Sequence, residues 1–470
     1  MKVVIMVTTN RYDHLFPCTN DPELKTLFEK IKIYLARCDG IIKDDNPSMI
    51  VKRDDMRTFN PYLLPKSKII YDAILYRLQM IKKYRITDPE QIWRLLSLDF
   101  IRERKLKRSE RRFLEAFITY PDKTYTEIAR LLGVTPAAVL YNLKKFREKF
   151  SLRFVALYDH TKFKLRNYVI FVKFKHLYDK RVFFKVFDNP SLITFNFDTF
   201  SSEGRRWGWM VFTVPDQKRT IREFKNSITE LVGILFDELR IYENKGIGHG
   251  WNLERFDNRR WFFQEDMWVY GLLNFVEKYE DILPLPDILW FSYETIPFDN
   301  IDFLISLFKK VNYKSSYQEL KYMLQEQGYK LSVSQIGERV KRLESLNVWK
   351  PYIDLVGLGL SEVLTVNVEC DEDMRKVLLK ALTEFPRFFV SPHNKGLLFM
   401  LFLPHGYGER FAYLFDDFRD HVADMLIIRR FTNIGSWLPI KMHSMWNAKR
   451  KFWEVGRNYF NFYEKLKSFA

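Results

Sequence analysis

The feature that most limits how this chain can fold is an internal repeat that fills roughly its last 370 of 470 residues. A duplicated unit must bury the same apolar face twice, so each copy needs an equivalent partner for that face. The first copy opens with a helical run, Ser109–Tyr120, that has Ser109 at its start and Phe113, Leu114, Phe117 and Ile118 along one side. The second opens with Asn300–Lys310 and Ile301, Leu304, Ile305 and Phe308. A second helix follows, Thr124–Ala129 in one copy and Ser316–Lys321 in the other, and then a turn and a third helix. Along the third helix the apolar positions correspond one for one: Val134 with Leu331, Val139 with Ile336, Leu143 with Val340 and Phe146 with Leu343. The basic pair Lys144-Lys145 corresponds to Lys341-Arg342.

Short strands come after each third helix, at Phe154–Leu157 and Trp349–Leu355, where a wing is expected. The stretch beyond reads β-α-β-β-α-β in both copies, the pattern of a ferredoxin-like sandwich. The expected strands are 168–174, 192–199, 207–214 and 237–242 in one copy and 363–369, 387–391, 397–403 and 425–431 in the other. The expected helices are 178–187, 217–235, 372–384 and 407–420. The predicted class is therefore α+β: two winged helix-turn-helix domains, each followed by a ferredoxin-like βαββαβ domain, plus a mostly helical N-terminal extension. The expected divisions are extension 1–105, winged helix 106–165, ferredoxin-like domain 166–245, aromatic connector 246–298, winged helix 299–358, ferredoxin-like domain 359–434 and helical tail 435–470. In the extension, helices are expected at Pro22–Arg37, Ser67–Tyr84 and Asp88–Leu98. Pro284, Pro286 and Pro297 make the link between the copies stiff.

Charge is concentrated. Residues 101–170 hold 17 Lys/Arg and 7 Asp/Glu, a net of +10 out of +17 for the whole chain. Such a cluster on one segment suits a polyanionic partner, either a nucleic acid such as double-stranded DNA or an anionic membrane surface. No stretch of about 18 apolar residues is present, so no membrane span is expected. Cys18, Cys38 and Cys370 are too scattered for a disulfide framework or zinc site, and a reducing, cytoplasmic setting is expected. His249, His393, His405 and His443 lack ligand spacing, and neither a phosphate-binding Gly-rich loop nor a nucleophile elbow occurs. Neither a metal nor a cofactor is expected.

A helix–turn–helix holds its last helix proud of the surface, where it can enter a major groove about 12 Å wide. Gly133 suits the turn, and Thr135 and Ser332 stand where they can cap the third helices. The candidate DNA contacts of the first copy are Thr135, Pro136, Ala137, Tyr141, Lys144, Lys145, Arg147, Lys149 and Arg153, with Arg111 and Arg112 beside the flanking backbone. Those of the second are Ser332, Ser334, Gln335, Arg339 and Arg342. Trp207, Trp209, Trp251 and Trp261, rich in neighbouring Arg, suit core packing and domain docking better than base stacking.

The run from Ser332 through Ile336, Arg339-Val340-Lys341-Arg342-Leu343-Glu344, Asn347-Val348 and Leu358-Gly359-Leu360 resembles the Lrp/AsnC family of archaeal and bacterial transcription regulators. The first copy resembles it through Thr124–Ala129 and Gly133–Phe146. The resemblance implies a DNA-binding transcriptional regulator in which two fused modules act as a covalent pseudo-dimer. It also implies self-association through the ferredoxin-like domains and a small-molecule effector near the turns carrying Glu203, Gly204 and Arg205, and Lys395 and Gly396. The family's usual Gly-Asp pair is absent from both turns, and the second copy has about five extra residues near Gln325–Lys330. Two other readings stand beside this one. Siroheme decarboxylases are similar in architecture, and His393 with Arg205 or Arg206 would serve such an enzyme. Alternatively, the winged helices form a scaffold for a protein partner such as RNA polymerase.

Overall fold

The structure is a computed structural model. It describes residues 10–42, 66, 68–96, 106–150, 152–175, 186–201, 206–257, 261–262, 285–355, 358–404, 406–430, 435–436, 438–456 and 458–468. It is a mixed α+β molecule. Near the N-terminus α1 (Pro22–Cys38), α2 (Lys68–Lys83) and α3 (Pro89–Leu96) share a core of their own. Ile70, Ile74, Leu78 and Ile81 recur at helical spacing along α2 and are buried with Leu24, Leu27 and Ile31 of α1 and Ile92 of α3.

A three-helix bundle follows: α4 (Arg108–Thr119), α5 (Tyr125–Leu132) and α6 (Pro136–Phe150). Thr124 starts α5 with a reciprocal cap, in which the Glu127 N–H donates to Thr124 Oγ1 at 3.3 Å and the Thr124 N–H donates to the Glu127 carboxylate at 2.8 Å. Gly133 ends it at φ +64°, a left-handed conformation that a side chain would strain. The chain then turns into α6, whose Val139, Leu143, Phe146 and Phe150 are buried. Phe117 of α4 meets Phe146 edge-on at 6.1 Å.

After this bundle come β1 (Arg153–Tyr158), β2 (Leu165–Phe174), β3 (Leu192–Ser201), β4 (Arg206–Pro215), α7 (Lys218–Thr229), β5 (Phe236–Glu243), β6 (Gly246–Trp251) and β7 (Ile288–Trp290). The helix expected at 178–187 lies almost wholly outside the described residues. A second bundle is built from α8 (Asn300–Val311), α9 (Tyr317–Glu326) and α10 (Val333–Ser345). It leads into β8 (Trp349–Asp354), β9 (Leu360–Glu369), α11 (Glu372–Leu382), β10 (Arg387–His393), β11 (Gly396–Pro404), α12 (Tyr407–Asp417), β12 (Asp424–Arg430) and β13 (Gly435–Ser436). Part of the extra length in the second copy goes into α9, and Gly328, at φ +87°, follows that helix.

The strands expected to open wings do something else. β1 and β8 pair with each other, antiparallel, with Arg153 opposite Asp354 and Tyr158 opposite Trp349. Neither forms a hairpin with the strand that follows it. The reason is burial on both faces. Val155 and Leu157 are buried on one face of β1, and Phe154, Ala156 and Tyr158 on the other. Along that second face Phe154 packs into the first bundle, whereas Ala156 and Tyr158, together with Phe163 and Leu165 farther along, pack into the second. In return Ile353, Leu355, Leu358 and Leu360 of the second copy complete the first bundle's core.

The other strands join one eleven-stranded sheet. Counted within each copy, both halves run fourth-first-third-second: β5-β2-β4-β3 and β12-β9-β11-β10. The halves meet where Ile428–Arg430 of β12 pair with Thr199–Ser201 of β3. Each copy also sends a strand onto the second strand of the other, β6 onto β10 at the far edge and β13 onto β3 at the junction. Side chains alternate along β2 as a pleated strand requires. Tyr168, Ile170 and Val172 pack toward Phe224 and Ile228 of α7. Val169 and Phe171 turn to the opposite face, join Trp207 and Trp209, and meet Leu398, Leu426 and Ile428 of the second half. The two halves thus bury a common layer between their sheets.

Segments expected to link or trail are docked instead. Beyond β6, Leu253, Phe256 and Trp261 pack into the first bundle. The stretch before α8 contributes β7, paired with β6, and the buried Phe291 and Ile296. Residues 435–470 were expected to be helical. The described residues beyond β13 form instead a 3-10 turn (Ile440–Met445), a small hairpin of β14 (Trp446–Asn447) and β15 (Phe452–Trp453), and one short helix, α13 (Phe462–Lys467). Leu438, Met442, Trp446 and Trp453 of that stretch fill the second bundle, and packing of these aromatics overrides local helix preference. Among the described residues no helix is long and apolar enough to cross a membrane.

The exchange of hinge strands has a measurable consequence. Ile353→Ala should cost about 2–5 kcal/mol, the usual range for truncating a buried Ile. Amide hydrogen exchange should then show the lost protection over 108–150, in the other copy, more than over 300–345.

Candidate nucleic-acid interface

The outward face of α6 follows from its inward one. With Val139, Leu143 and Phe146 buried, Pro136, Ala137, Leu140, Tyr141 and Lys144 project to solvent. Leu140 is 48% exposed and Tyr141 68%. Pro136 occupies the first helical position, where its missing N–H costs nothing. Thr135 Oγ1 accepts the Ala138 N–H at 3.3 Å. Asn142 is turned back onto its own helix, its amide donating to Ala138 O at 2.9 Å.

The basic strip read from sequence divides in two. Lys144, Arg147 and Arg112 are exposed; Arg112 also lies over the Phe113 ring at 5.2 Å. The rest are held internally. Lys145 and Lys149 both pair with Glu110, whose side chain is only 3% exposed. Burial works against the Glu110 charge, but the Lys145 hydrogen bond and the Lys107 N–H hold its carboxyl below the ordinary range. Arg111 donates to Phe256 O at 2.6 Å, to Leu253 O at 2.8 Å and to Glu115 at 2.7 Å, pinning the segment after β6 to α4. Arg153 pairs with Asp354 across the β1–β8 ribbon.

On α10, Ser332 and Gln335 spend their polar groups on each other. The Gln335 N–H donates to Ser332 Oγ at 3.2 Å, and the Ser332 N–H donates to Gln335 Oε1 at 2.9 Å. Ser334 is exposed. Arg339 donates to Asp299 at 2.9 Å and Asp302 at 2.7 Å. Arg342 donates to Asp302 at 2.5 Å and to Pro297 O at 2.9 Å. Pro297, Asp299, Asp302, Arg339 and Arg342 line an open cleft of about 520 Å³. Glu110 and Asp302, which the sequence reading passed over, occupy the same third position of α4 and α8 and accept from the third helix in each bundle. An acid at that position in both copies was the available signal.

A second charged group went unread as well. Arg387 donates to Asp354 Oδ1 at 2.6 Å, to Leu355 O at 2.9 Å and to His249 Nε2 at 3.3 Å. Burial opposes the Asp354 charge, yet Arg153 and Arg387 hold its carboxyl well below the usual carboxylate range. The network ties the strand ribbon to the sheet.

Of the effector candidates, Glu203, Gly204 and Arg205 lie outside the described residues. Lys395 sits 3.5 Å from Glu369 at the β10–β11 turn. A Cβ on Gly396 would lie 2.1 Å from Val368 O, so only glycine fits there. His393 is fully buried, with its ring 4.4 Å from Tyr242, Nε2 3.1 Å from Asn367 Oδ1, and Nδ1 accepting the Lys395 N–H at 3.2 Å. Burial, with Arg375 and Lys395 nearby, lowers its pKa to about 3, so the imidazole is neutral. Trp207, Trp209 and Trp261 are buried, and the Trp251 and Trp261 indoles donate to Ile353 O and Leu358 O. Packing and docking account for them. Between the two halves, however, Trp207 Nε1, Trp209 Nε1 and Asn367 Nδ2 are buried donors without an acceptor among the described residues. Among the described residues no His/Cys/Asp/Glu group could hold a metal ion.

No family model matches this chain, and no curated protein matches it. Among solved structures it is similar to the siroheme decarboxylase NirDL, at 11% identity and a TM-score of 0.39 over 76% of this chain and 99% of that one. NirDL in complex with an iron-uroporphyrin III analogue gives 12% and 0.37, covering 76% of this chain and 98% of that one. An AsnC family transcriptional regulator from Agrobacterium tumefaciens is 15% identical, with a TM-score of 0.24 over 29% of this chain and 89% of that one. These likenesses are partial and remote, and they assign no activity.

The buried histidines make stability depend on pH. His160 is 2% exposed, and burial, with Lys310 nearby, lowers its pKa to about 3 from 6.5. The unfolded chain takes up a proton at this site below pH 6.5, whereas the folded chain does so only near pH 3. Stability is therefore lost as pH falls through that window, by up to about 1.4 kcal/mol per pH unit per histidine. In urea denaturation, His160→Leu should lose roughly 2 kcal/mol less than the wild-type chain between pH 6.5 and 5.

Proposed function

We propose that this chain is a duplex-DNA-binding transcriptional regulator. In this reading its two bundles are helix-turn-helix modules, near 106–165 and 299–358, with the β1–β8 ribbon in place of separate wings, fused to ferredoxin-like domains near 166–245 and 359–434 in one covalent pseudo-dimer. The observation that carries it is the outward face of α6, where Tyr141, Leu140 and Lys144 project beside a Pro136 helix start. Exposed apolar and basic side chains on one helix face suit thymine methyls and phosphates in a major groove. The internal ion pairs of Lys145, Lys149 and Arg153 reduce the number of phosphates this module neutralises, so Lys144, Arg147 and Arg112 carry the electrostatic part. Fluorescence anisotropy on duplex DNA tests this. Lys144→Glu and Tyr141→Ala should each weaken binding at least about tenfold, which corresponds to ~1.4 kcal/mol. The log–log salt slope should be a few units at roughly −0.9 per phosphate. Unchanged binding in both variants would remove α6 from the interface.

A second reading rests on the buried donors between the two halves. Trp207, Trp209 and Asn367 offer N–H groups to an acceptor-bearing ligand in a water-poor layer, and His393 is neutral beside them. This suits a siroheme-decarboxylase-like role with a carboxylate-bearing tetrapyrrole. Titration with iron-uroporphyrin should then shift its visible absorption band, and His393→Ala should reduce the shift. A spectrum identical to the free porphyrin's would remove this reading.

A further inference from the structure

The two third helices occupy equivalent places but present different surfaces. Where α6 exposes Tyr141 and Arg147, α10 exposes Glu338 and Glu344. Where α6 projects Leu140, α10 has the buried Gly337, and a Cβ there would come within 3.0 Å of the Tyr317 ring. The cations α10 does carry are engaged: Arg339 and Arg342 answer Asp302, whose side chain is 3% exposed, together with Asp299. Moving either arginine to a phosphate would weaken the pairing of a buried carboxylate. That leaves Lys341 on the exposed face against two glutamates. Over whole modules the contrast persists. Residues 106–165 carry 13 basic and 6 acidic residues, while 299–358 carry 9 and 7.

We infer that α6 alone reads DNA, that α10 is held off the duplex by its own acids, and that the target is a single asymmetric half-site. This rests on the DNA-binding reading above. Two equal modules related by a twofold would instead meet half-sites about 34 Å apart on one face of the duplex. A polyanion disfavours the Glu338 and Glu344 surface, and loss of one exposed lysine there changes little.

The test uses the full chain, a selected genomic duplex, hydroxyl-radical footprinting and anisotropy. Lys144→Glu and Lys341→Glu are both solvent-facing changes, and unchanged thermal melting verifies each fold. The expected result is one protected segment, a loss of at least about tenfold for Lys144→Glu, and binding by Lys341→Glu within about twofold of the wild-type chain. Two protected segments about one helical turn apart, or equal losses in the two variants, would overturn the single-reader inference while leaving DNA binding intact. Absence of duplex binding by the wild-type chain would overturn both.

Discussion

The pairing of β1 with β8 is the constraint on which the rest of this molecule depends. It places Arg153 opposite Asp354, residues from two different copies. Once that ribbon forms, Ile353 and Leu355 must enter the first bundle, and Ala156 and Tyr158 the second. Neither bundle has a complete core without the other copy. The same exchange recurs in the sheet, where β6 joins β10 and β13 joins β3. Edge strands with open N–H and C=O groups invite pairing with other chains, and here the duplicated partner supplies that pairing within one molecule. A half of the chain expressed alone would expose apolar strand faces and open edges at once.

Electrostatics inside the bundles follows one plan with two outcomes. In each bundle an acid in the first turn of the first helix accepts from the third helix: Glu110 from Lys145 and Lys149, Asp302 from Arg339 and Arg342. A carboxylate at a helix N-terminus is favoured by the helix dipole, and the pairing fixes the angle of the third helix. The interaction engages cations in internal ion pairs in exchange for a defined geometry. The first bundle keeps Lys144 and Arg147 exposed after this exchange, while the second keeps Lys341 beside Glu338 and Glu344. Net charge along the sequence therefore overstates what a polyanion meets.

Much of the architecture was legible in advance. Helical spacing of Ile70, Ile74 and Leu78 placed α2 to within a residue at either end, and Thr135 and Ser332 marked helix starts correctly because caps are local; the start expected at Ser109 falls at Arg108 instead, with Lys107 as the cap. The outward positions of α6 followed from its apolar stripe. The ion pairs of Arg153, Arg339 and Arg342 were not legible, because their partners lie on other elements: Arg153 and Asp354 are 201 residues apart. The tail after residue 435 was misread for a related reason. Its Trp446 and Trp453 answer to the second bundle's core, not to their sequence neighbours.

The sequence by itself determined the kinds of element in each half and which side chains of the third helices point outward, since both depend on periodicity within a few residues. Tertiary structure alone decided that the presumed wing strands pair with each other, that each bundle is completed by the opposite copy, and which basic residues remain exposed to a partner. Those outcomes depend on strand partners and charge partners distant along the chain. Periodicity does not encode them, because burial of a strand on both faces and neutralisation of a buried carboxylate are satisfied only when the separate elements meet.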